Sequence, residues 1–308
     1  MDEASRTTAP CEEIEVSVIM PAFEEGHEIG GVIARVHAVL RSLSRTYEIL
    51  VIDDGSGDDT VDAARKAGAL VFSHPYNIGN GAAVKTGIRK ARGKIIVTMD
   101  ADGQHPPEKI PELLEMLPRY DMAVGARTAQ SETRLHRDLA NAVYNQLATY
   151  VTGRKIADLT SGFRAVKAEI AKQFVSLLPN TFSYPSTITM ALFRSGYSVA
   201  YVPVAAPQRK GKSKIKLFRD GARFFFIILK IATLFSPMKI FLPVSLIMFL
   251  SGLAYGLVKI FVLHIPYGPT SAMLMTVAVL VFLIGLVSEQ VAQLRFDHAG
   301  ERAHEKCR

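Results

Sequence analysis

The chain has almost no cysteine: Cys11 and Cys307 stand alone, one near each end. A disulfide framework is excluded, and so is a zinc site built on cysteine spacing. The first thirteen residues carry four acids (Asp2, Glu3, Glu12, Glu13) and lack an apolar segment behind a basic start. No secretory signal is read there, so the N-terminal domain is expected in the cytosol, a reducing compartment that fits scarce cysteine. Cationic excess is also missing over most of the length. Nine Lys or Arg against one acid, Asp220, put +8 between Arg209 and Lys239, so the rest of a chain of net charge +7 sums to −1. That is a local basic belt, not the general basicity of a nucleic-acid binder.

The residues beyond the belt give it a different partner. Residues 240–262, "IFLPVSLIMFLSGLAYGLVKIFV", hold one charge, Lys259, close to the end where it can snorkel. An uncharged connector, "LHIPYGPT", leads to "SAMLMTVAVLVFLIGLVSEQV". Each run is long enough to cross a hydrocarbon core of about 30 Å. Two buried helices of a soluble bundle are the alternative, disfavoured by this length. Lys and Arg flank the pair before the first run and after the second (Arg295, Arg302) and are absent from the connector, so both ends are expected inside. Between belt and hairpin, "IKLFRDGARFFFIILKIATLFSP" mixes phenylalanines with cations at helical spacing, the pattern of interfacial amphipathic helices. Belt and interfacial segment together would hold the domain against anionic headgroups or a lipid phosphate. The expected division is a flexible tail (1–13), a main domain (14–208), a basic interfacial segment (209–238), two transmembrane helices (239–293) and a cytosolic tail (294–308).

In the first two hundred residues, strand-like and helix-like segments alternate. "VSVIM" (16–20), "YEILVID" (47–53), "ALVF" (69–72) and "KIIVTMD" (94–100) read as strands, with helices over about 26–43, 58–66 and 80–91. Such alternation predicts an α/β fold with a Rossmann-like, mostly parallel sheet, whose ligands gather beyond the carboxyl ends of the strands. Three acidic loops fall there: "PAFEEG", "DDGSGDDT" and "DADGQH". In "IIVTMDADGQHPPEKIP" (95–111) a buried run ends in Asp100 and Asp102, which the two-residue alternation of a strand would project the same way. They are either turn and cap residues or the ligands of a divalent cation. Asp54 is either a turn residue or an acceptor for a base or ribose. "NIGNGAAVKTG" (77–87) matches a dinucleotide loop only loosely, since Val84 stands where a third glycine belongs; its glycines are read as permitting a turn and close packing.

In order along the chain, "VIMPAFEE", "VIDDGSGDDT", "NIGNGAAVKTGI", "MDADGQHPPEKIP", "GAR", "DLTSGFRA" and "RKGKSK" resemble glycosyltransferase family 2. The similarity runs over about residues 15–215 and is strongest to the polyprenol- and dolichol-phosphate sugar synthases, of which many also carry a two-helix anchor.

The resemblance implies a GT-A fold, a nucleotide-sugar donor (GDP-mannose or UDP-glucose type), Mg2+ or Mn2+, inversion at the sugar carbon, and a polyprenyl or dolichyl phosphate acceptor at the cytosolic membrane face. Carried over by position, Pro21, Phe23, Glu25, Ile52 and Asp54 line the nucleotide pocket. Asp100, Ala101 and Asp102 meet the diphosphate, and Asp100, Asp102 and Gln104 hold the metal. Arg127, Arg134 and Arg137 meet the acceptor phosphate, and Arg209 and Lys214 close over the phosphates. Asp102, Arg127 and Lys214 are the expected catalytic set. Phe23-Glu24-Glu25 stands where the family commonly has Tyr-Asn-Glu, and Gly103 replaces the leucine usual in mannose synthases. The rival readings are a membrane-anchored glycosyltransferase with another lipid acceptor, a sugar-nucleotide pyrophosphorylase-like nucleotidyltransferase, a membrane-bound dehydrogenase and a non-catalytic scaffold. Nucleic acid is not an expected partner.

The charge asymmetry makes topology testable. A cysteine introduced at Thr270, in the connector, should react with a membrane-impermeant thiol reagent in intact cells, while Cys307 stays protected. Labelling of Cys307 alone would reverse the orientation.

Overall fold

The computed structural model describes residues 13–127, 145–181, 183–205 and 233–305. These fall into two compact units. The first comprises 13–127, 157–181, 183–192 and 196–205, and the second 145–156, 193–195 and 233–305.

The elements in chain order are β1 (Val16–Ala22), α1 (Ile29–Ser42), β2 (Tyr47–Asp53), α2 (Thr60–Lys66), β3 (Leu70–Ser73), α3 (Asn80–Lys90) and β4 (Ile95–Thr98). A single 3-10 turn leads into α4 (Ile110–Met116), followed by β5 (Met122–Arg127). Then come α5 (145–152, in the second unit), β6 (Arg164–Lys167), α6 (Ala168–Phe174), α7 (Tyr184–Arg194) and β7 (Val199–Val204). The sheet order is β3-β2-β1-β4-β6-β5-β7. Every described pairing is parallel except those of β6, which runs antiparallel to β4 and β5. The carboxyl ends of the other six strands therefore share one edge, and the loop entering β6 arrives at that same edge.

The central strands are apolar throughout because both faces are covered. All seven residues of β1 and six of the seven in β2 are buried. Helix α1 contributes Ile29, Val32, Ile33, Val36 and Leu40 to the core, the i, i+3, i+4 spacing of a helix with one buried stripe. Edge strand β3 is only partly covered. One expectation needs correction. β4 stops at Thr98; Met99 still donates to the Ile19 carbonyl (3.1 Å), but Asp100 already leaves the strand and a turn comes next. Asp100 and Asp102 are not strand residues, so the two-residue alternation does not orient them.

At the amino edge, a polar knot ties β1 and β2 to the chain entering β4. The Ser17 hydroxyl donates to Glu48 (2.6 Å), which also accepts from the Arg92 amide (2.8 Å) and guanidinium (2.9 Å), while the Gly93 amide donates to Ser17 Oγ (2.8 Å). Burial alone would raise the Glu48 carboxyl, but the Ser17 and Arg92 donors outweigh it and hold it below the ordinary glutamate value.

In the second unit, α8 (Met238–Phe261) and α9 (Pro269–Glu305) form an antiparallel hairpin. Residues Met238–Phe261 and Pro269–Leu294 are long and apolar enough to cross a membrane. Among the described residues of α9, those buried are Ser271, Ala278, Gly285 and Ala292, seven apart, and those of α8 are Ser245, Gly252 and Gly256. Small residues at these spacings let two helices approach closely. A Cβ at Gly256 would come within 2.2 Å of the Tyr267 ring. Large side chains such as Leu250, Val258, Leu283 and Val287 point outward instead. The one acid of the second span, Glu289, accepts from the Met238 amide (3.2 Å) at the start of α8, a carboxylate at the positive end of a helix dipole.

The knot at Glu48 generates a signed expectation. A carboxyl depressed by folding contributes stability above its unfolded value, and that contribution is lost as pH falls through the lower folded value. Glu48→Gln should cost about 1–3 kcal/mol at pH 7, read as a melting temperature several degrees lower in detergent. The gap to the parent should close as pH falls from the ordinary glutamate value through the lower folded one; a gap independent of pH would show that the charge of Glu48 is not what matters.

Candidate active site

Three loops meet at the carboxyl edge. The chain after β1 is latched onto the chain after β2: the amides of Glu24, Glu25 and Gly26 donate to Ser56 Oγ (2.9 Å), Thr60 Oγ1 (2.9 Å) and Asp58 Oδ2 (3.1 Å). Glu24 adopts φ 57°, a left-handed conformation that asparagine tolerates far better than glutamate. Pro21 and Ile52 are buried neighbours across β1 and β2. Phe23 is 41 % exposed and Glu25 half-buried.

Asp54 is nearly closed off, at 3 % exposure. Oδ1 accepts from the Ile78 amide (3.1 Å) and from His74 Nδ1 (2.8 Å), and Oδ2 from the Gly79 amide (2.7 Å). Because a carboxylate only accepts, His74 donates from Nδ1, and its Nε2 meets Thr86 Oγ1 at 2.9 Å. Three of about four acceptor positions are thus used within the chain, so a nucleotide at this edge has at most one left. The glycine loop is likewise filled by the chain itself. The Ala82 amide donates to the Asn180 carbonyl (3.2 Å), and a Cβ on Gly81 would lie 2.2 Å from the Pro179 carbonyl oxygen. Close packing, not a dinucleotide, is what these glycines admit.

The turn after β4 holds Asp100, the buried Ala101, Asp102, Gly103 and Gln104. Asp102 Oδ1 accepts from the Gln104 amide N–H (3.1 Å) and Oδ2 from the Gln104 side chain (2.7 Å). The Asp100 side chain keeps 37 % exposure. Beneath it, a Cβ at Gly162 would come to 3.1 Å from the Tyr184 hydroxyl and 3.5 Å from the Asp100 carboxylate. Burial, then the Asp100 charge, pushes the Tyr184 phenol up. Among the described residues, no three His, Cys, Asp or Glu side chains gather as a complete metal cage. Two carboxylates and an amide oxygen are hard donors that suit Mg2+ or Mn2+ only where phosphate and water fill the rest of the shell. The Gln104 amide must turn over to offer its oxygen, since its nitrogen now faces Asp102. On those terms the donor set fits.

Arg127, at the end of β5, lies two strands from β4 on the same edge. Its Nε and Nη2 donate to the two oxygens of Asp158 (2.8 and 3.0 Å), and Nη2 also meets Thr160. Asp158 further accepts from the amides of Thr160 (3.0 Å) and Ser161 (3.1 Å). Burial would raise the Asp158 carboxyl, yet the hydrogen bonds and charge of Arg127 outweigh it and hold it below the usual range. Asp158 carried no sequence assignment. Its signal was the motif "DLTSGFRA", whose buried Arg164 donates to the carbonyls of Ser161 (2.6 Å) and Leu159 (3.1 Å) and so shapes the loop.

Arg134, Arg137, Arg209 and Lys214 lie outside the described residues, as does the belt except Lys239. Lys239 Nζ donates to the carbonyls of Tyr150 (3.0 Å) and Val151 (2.9 Å), capping the last turn of α5.

Comparison with known proteins places this geometry. The family profile described as "Glycosyl transferase family 2" matches residues 17–175, more than half of the chain, and "GtrB C-terminal hairpin" matches 236–294. The undecaprenyl-phosphate 4-deoxy-4-formamido-L-arabinose transferase of Klebsiella pneumoniae (strain 342) is 28% identical over 289 residues, covering 88% of this chain and 84% of that protein. The dodecaprenyl-phosphate galacturonate synthase of Rhizobium johnstonii is 33% identical over 175 residues, 54% of this chain and 52% of that one. Among solved structures, mannosyl-3-phosphoglycerate synthase from Rubrobacter xylanophilus superposes with TM-score 0.58 at 20% identity, covering 71% and 72% of the two chains. Glucosyl-3-phosphoglycerate synthase from Mycobacterium tuberculosis, solved with Mn2+, UDP-glucose and phosphoglyceric acid, gives 0.57 at 20% identity, covering 71% and 80%. These likenesses agree with the expected GT-A α/β fold.

The packing role of the glycine loop separates from ligand binding by a paired substitution. Gly81→Ala should lower the melting temperature by several degrees, since the new methyl meets backbone, whereas Gly57→Ala, with nothing within 4 Å, should leave it unchanged. Equal melting of the two variants would contradict the packing assignment.

Proposed function

Because the chain belongs to glycosyltransferase family 2, we propose that it transfers a hexosyl group from a nucleotide sugar to the phosphate of a polyprenyl phosphate. Inversion at the sugar carbon and action at the cytosolic face of the membrane are part of this reading. One observation carries it: a single polypeptide joins an acidic turn at the carboxyl edge of a GT-A sheet to a two-helix apolar hairpin. The names of the two polyprenyl-phosphate relatives support the acceptor class. The donor in this reading is a nucleotide sugar of the GDP-mannose or UDP-glucose type.

Asp100, Asp102 and Gln104 would hold Mg2+ or Mn2+. When bound, such an ion supplies charge stabilisation to a leaving diphosphate. The chain's own residues orient the substrates. The loops latched through Ser56, Thr60 and Asp58 fix the wall made by Pro21, Phe23, Glu25 and Ile52. Arg127 is held flat by Asp158, an orientation suited to a phosphate, but the pair is close to neutral, so Arg127 gives direction more than attraction. Attraction of the acceptor falls to Arg134, Arg137, Arg209 and Lys214. A phosphate monoester, with its second ionisation near about pH 6, arrives as its own nucleophile, and no general base is required of the protein. The lipid tail stays in the bilayer that the hairpin crosses, and the basic belt faces the headgroups.

The test is the proposed ligand. Loss of an outer partner of a metal site already costs about 10- to 100-fold, so Asp102→Asn should lower transfer by at least that factor. The assay would use UDP- and GDP-sugars with a short polyprenyl phosphate. Near-parental transfer by Asp102→Asn, or parental activity indifferent to chelator, would remove the metal from the reading.

A further inference from the structure

We propose that His105 is a positioning residue: its Nδ1 closes the Asp100–Gln104 turn and fixes where both aspartates stand. This deepens the reading of that turn as the diphosphate-facing element and rests on it. The parallel ladder between β1 and β4 ends with the Met99 amide on the Ile19 carbonyl. The next donor, the Asp100 amide, has moved off the strand, and His105 Nδ1 receives it at 2.9 Å. An acceptor nitrogen is unprotonated, so the neutral ring carries its hydrogen on Nε2. That N–H lies 3.8 Å from Asp100 Oδ2, beyond hydrogen-bond range, and acts on the carboxylate through space only. Held this way the ring offers no lone pair to a cation, which separates His105 from the metal donors.

The ring is clamped from two further sides. It stacks on Phe163 with centroids 5.4 Å apart and planes at 15°. Phe163 is fully buried and belongs to the loop that Arg164 ties down. Pro106 and Pro107 come immediately after, and a residue before proline is restricted to extended backbone. Within the closed turn, Gly103 takes φ +71° and the Gln104 amide turns back to Asp102. His105 thus connects the acidic turn to the same loop that carries Asp158 and hence Arg127.

A satisfied core histidine would serve by its ring; a positioning histidine serves by its acceptor. His105→Phe keeps the stacking and removes the acceptor, whereas His105→Asn removes the ring and keeps an acceptor at the δ position. In the full-length protein in detergent, stripped of metal, hydrogen exchange at the Asp100 amide should quicken about tenfold or more in His105→Phe, the loss of one hydrogen bond, and stay near parental in His105→Asn. Mn2+ binding in the presence of UDP or GDP, monitored by the electron paramagnetic resonance of free Mn2+, should weaken about tenfold in His105→Phe and recover in His105→Asn. Parental exchange at Asp100 in His105→Phe overturns the proposal, as does His105→Asn behaving like His105→Phe in exchange. Failure of the parent to bind Mn2+ with either nucleotide strikes the metal reading instead, and the exchange comparison still decides the role of His105.

Discussion

Carboxylates crowd one edge of this sheet, and what keeps them there is the N–H donor. Asp54 takes the amides of Ile78 and Gly79 and the imidazole of His74. Asp158 takes a guanidinium and two loop amides, and Asp102 takes the amide of Gln104. Each contact offsets part of the desolvation that a buried anion suffers. Each also fixes a loop: Asp54 and Asp158 are tied to distant stretches of chain, and Asp102 closes its own turn. Asp100 differs: its backbone is held while its carboxylate keeps solvent access, which its proposed place facing a diphosphate requires.

This division explains which parts were legible from sequence. Strands β1 and β2 announced themselves because buried parallel strands are continuous apolar runs, and the structure extends β1 only two residues beyond "VSVIM". The last two residues read into β4 were not strand, because apolar Met99 continues the pattern after the chain has begun to turn. β6 was not legible. It is four residues long and opens with a cation, Arg164, whose burial depends on carbonyls of the preceding loop that no local pattern discloses. Asp158 lies thirty-one residues from Arg127, and sequence spacing says nothing about such a pairing. Conversely, the loose fit of "NIGNGAAVKTG" to a dinucleotide loop was a correct warning: the close approach its glycines permit is to Pro179–Thr181 of the same chain.

The hairpin was readable for a different reason. A bilayer asks for length and apolarity before it asks for anything specific, and both are counted directly from the sequence. The seam is subtler. Large residues face outward and small ones inward, the reverse of a soluble core, because lipid offers no hydrophobic penalty for exposing leucine and close backbone approach supplies the packing instead. Glu289 departs from the apolar rule, and two donors answer it: the Arg194 guanidinium meets one carboxylate oxygen and the first amide of α8, on the other helix of the hairpin, meets the second. Lys239 shows the same economy at the other sign, taken out of the basic belt to close the carbonyl end of α5.

The histidines of the carboxyl edge bear on the chemistry. His74 is committed at both nitrogens, to Asp54 and Thr86, and His105 has its lone pair directed at the Asp100 amide. Neither ring is arranged to collect a proton from an incoming hydroxyl, which would need an accepting nitrogen turned toward the substrate. The strut roles of His74 and His105 suit an acceptor that arrives already ionised. The phosphate acceptor proposed here is such a group, and the work left to the protein is to bring two anions together and hold them in line. Orientation then becomes the main catalytic resource, and the hydrogen bonds that hold the acids of this edge, across loops at Asp54 and Asp158 and within one turn at Asp102, are the means by which the fold provides it.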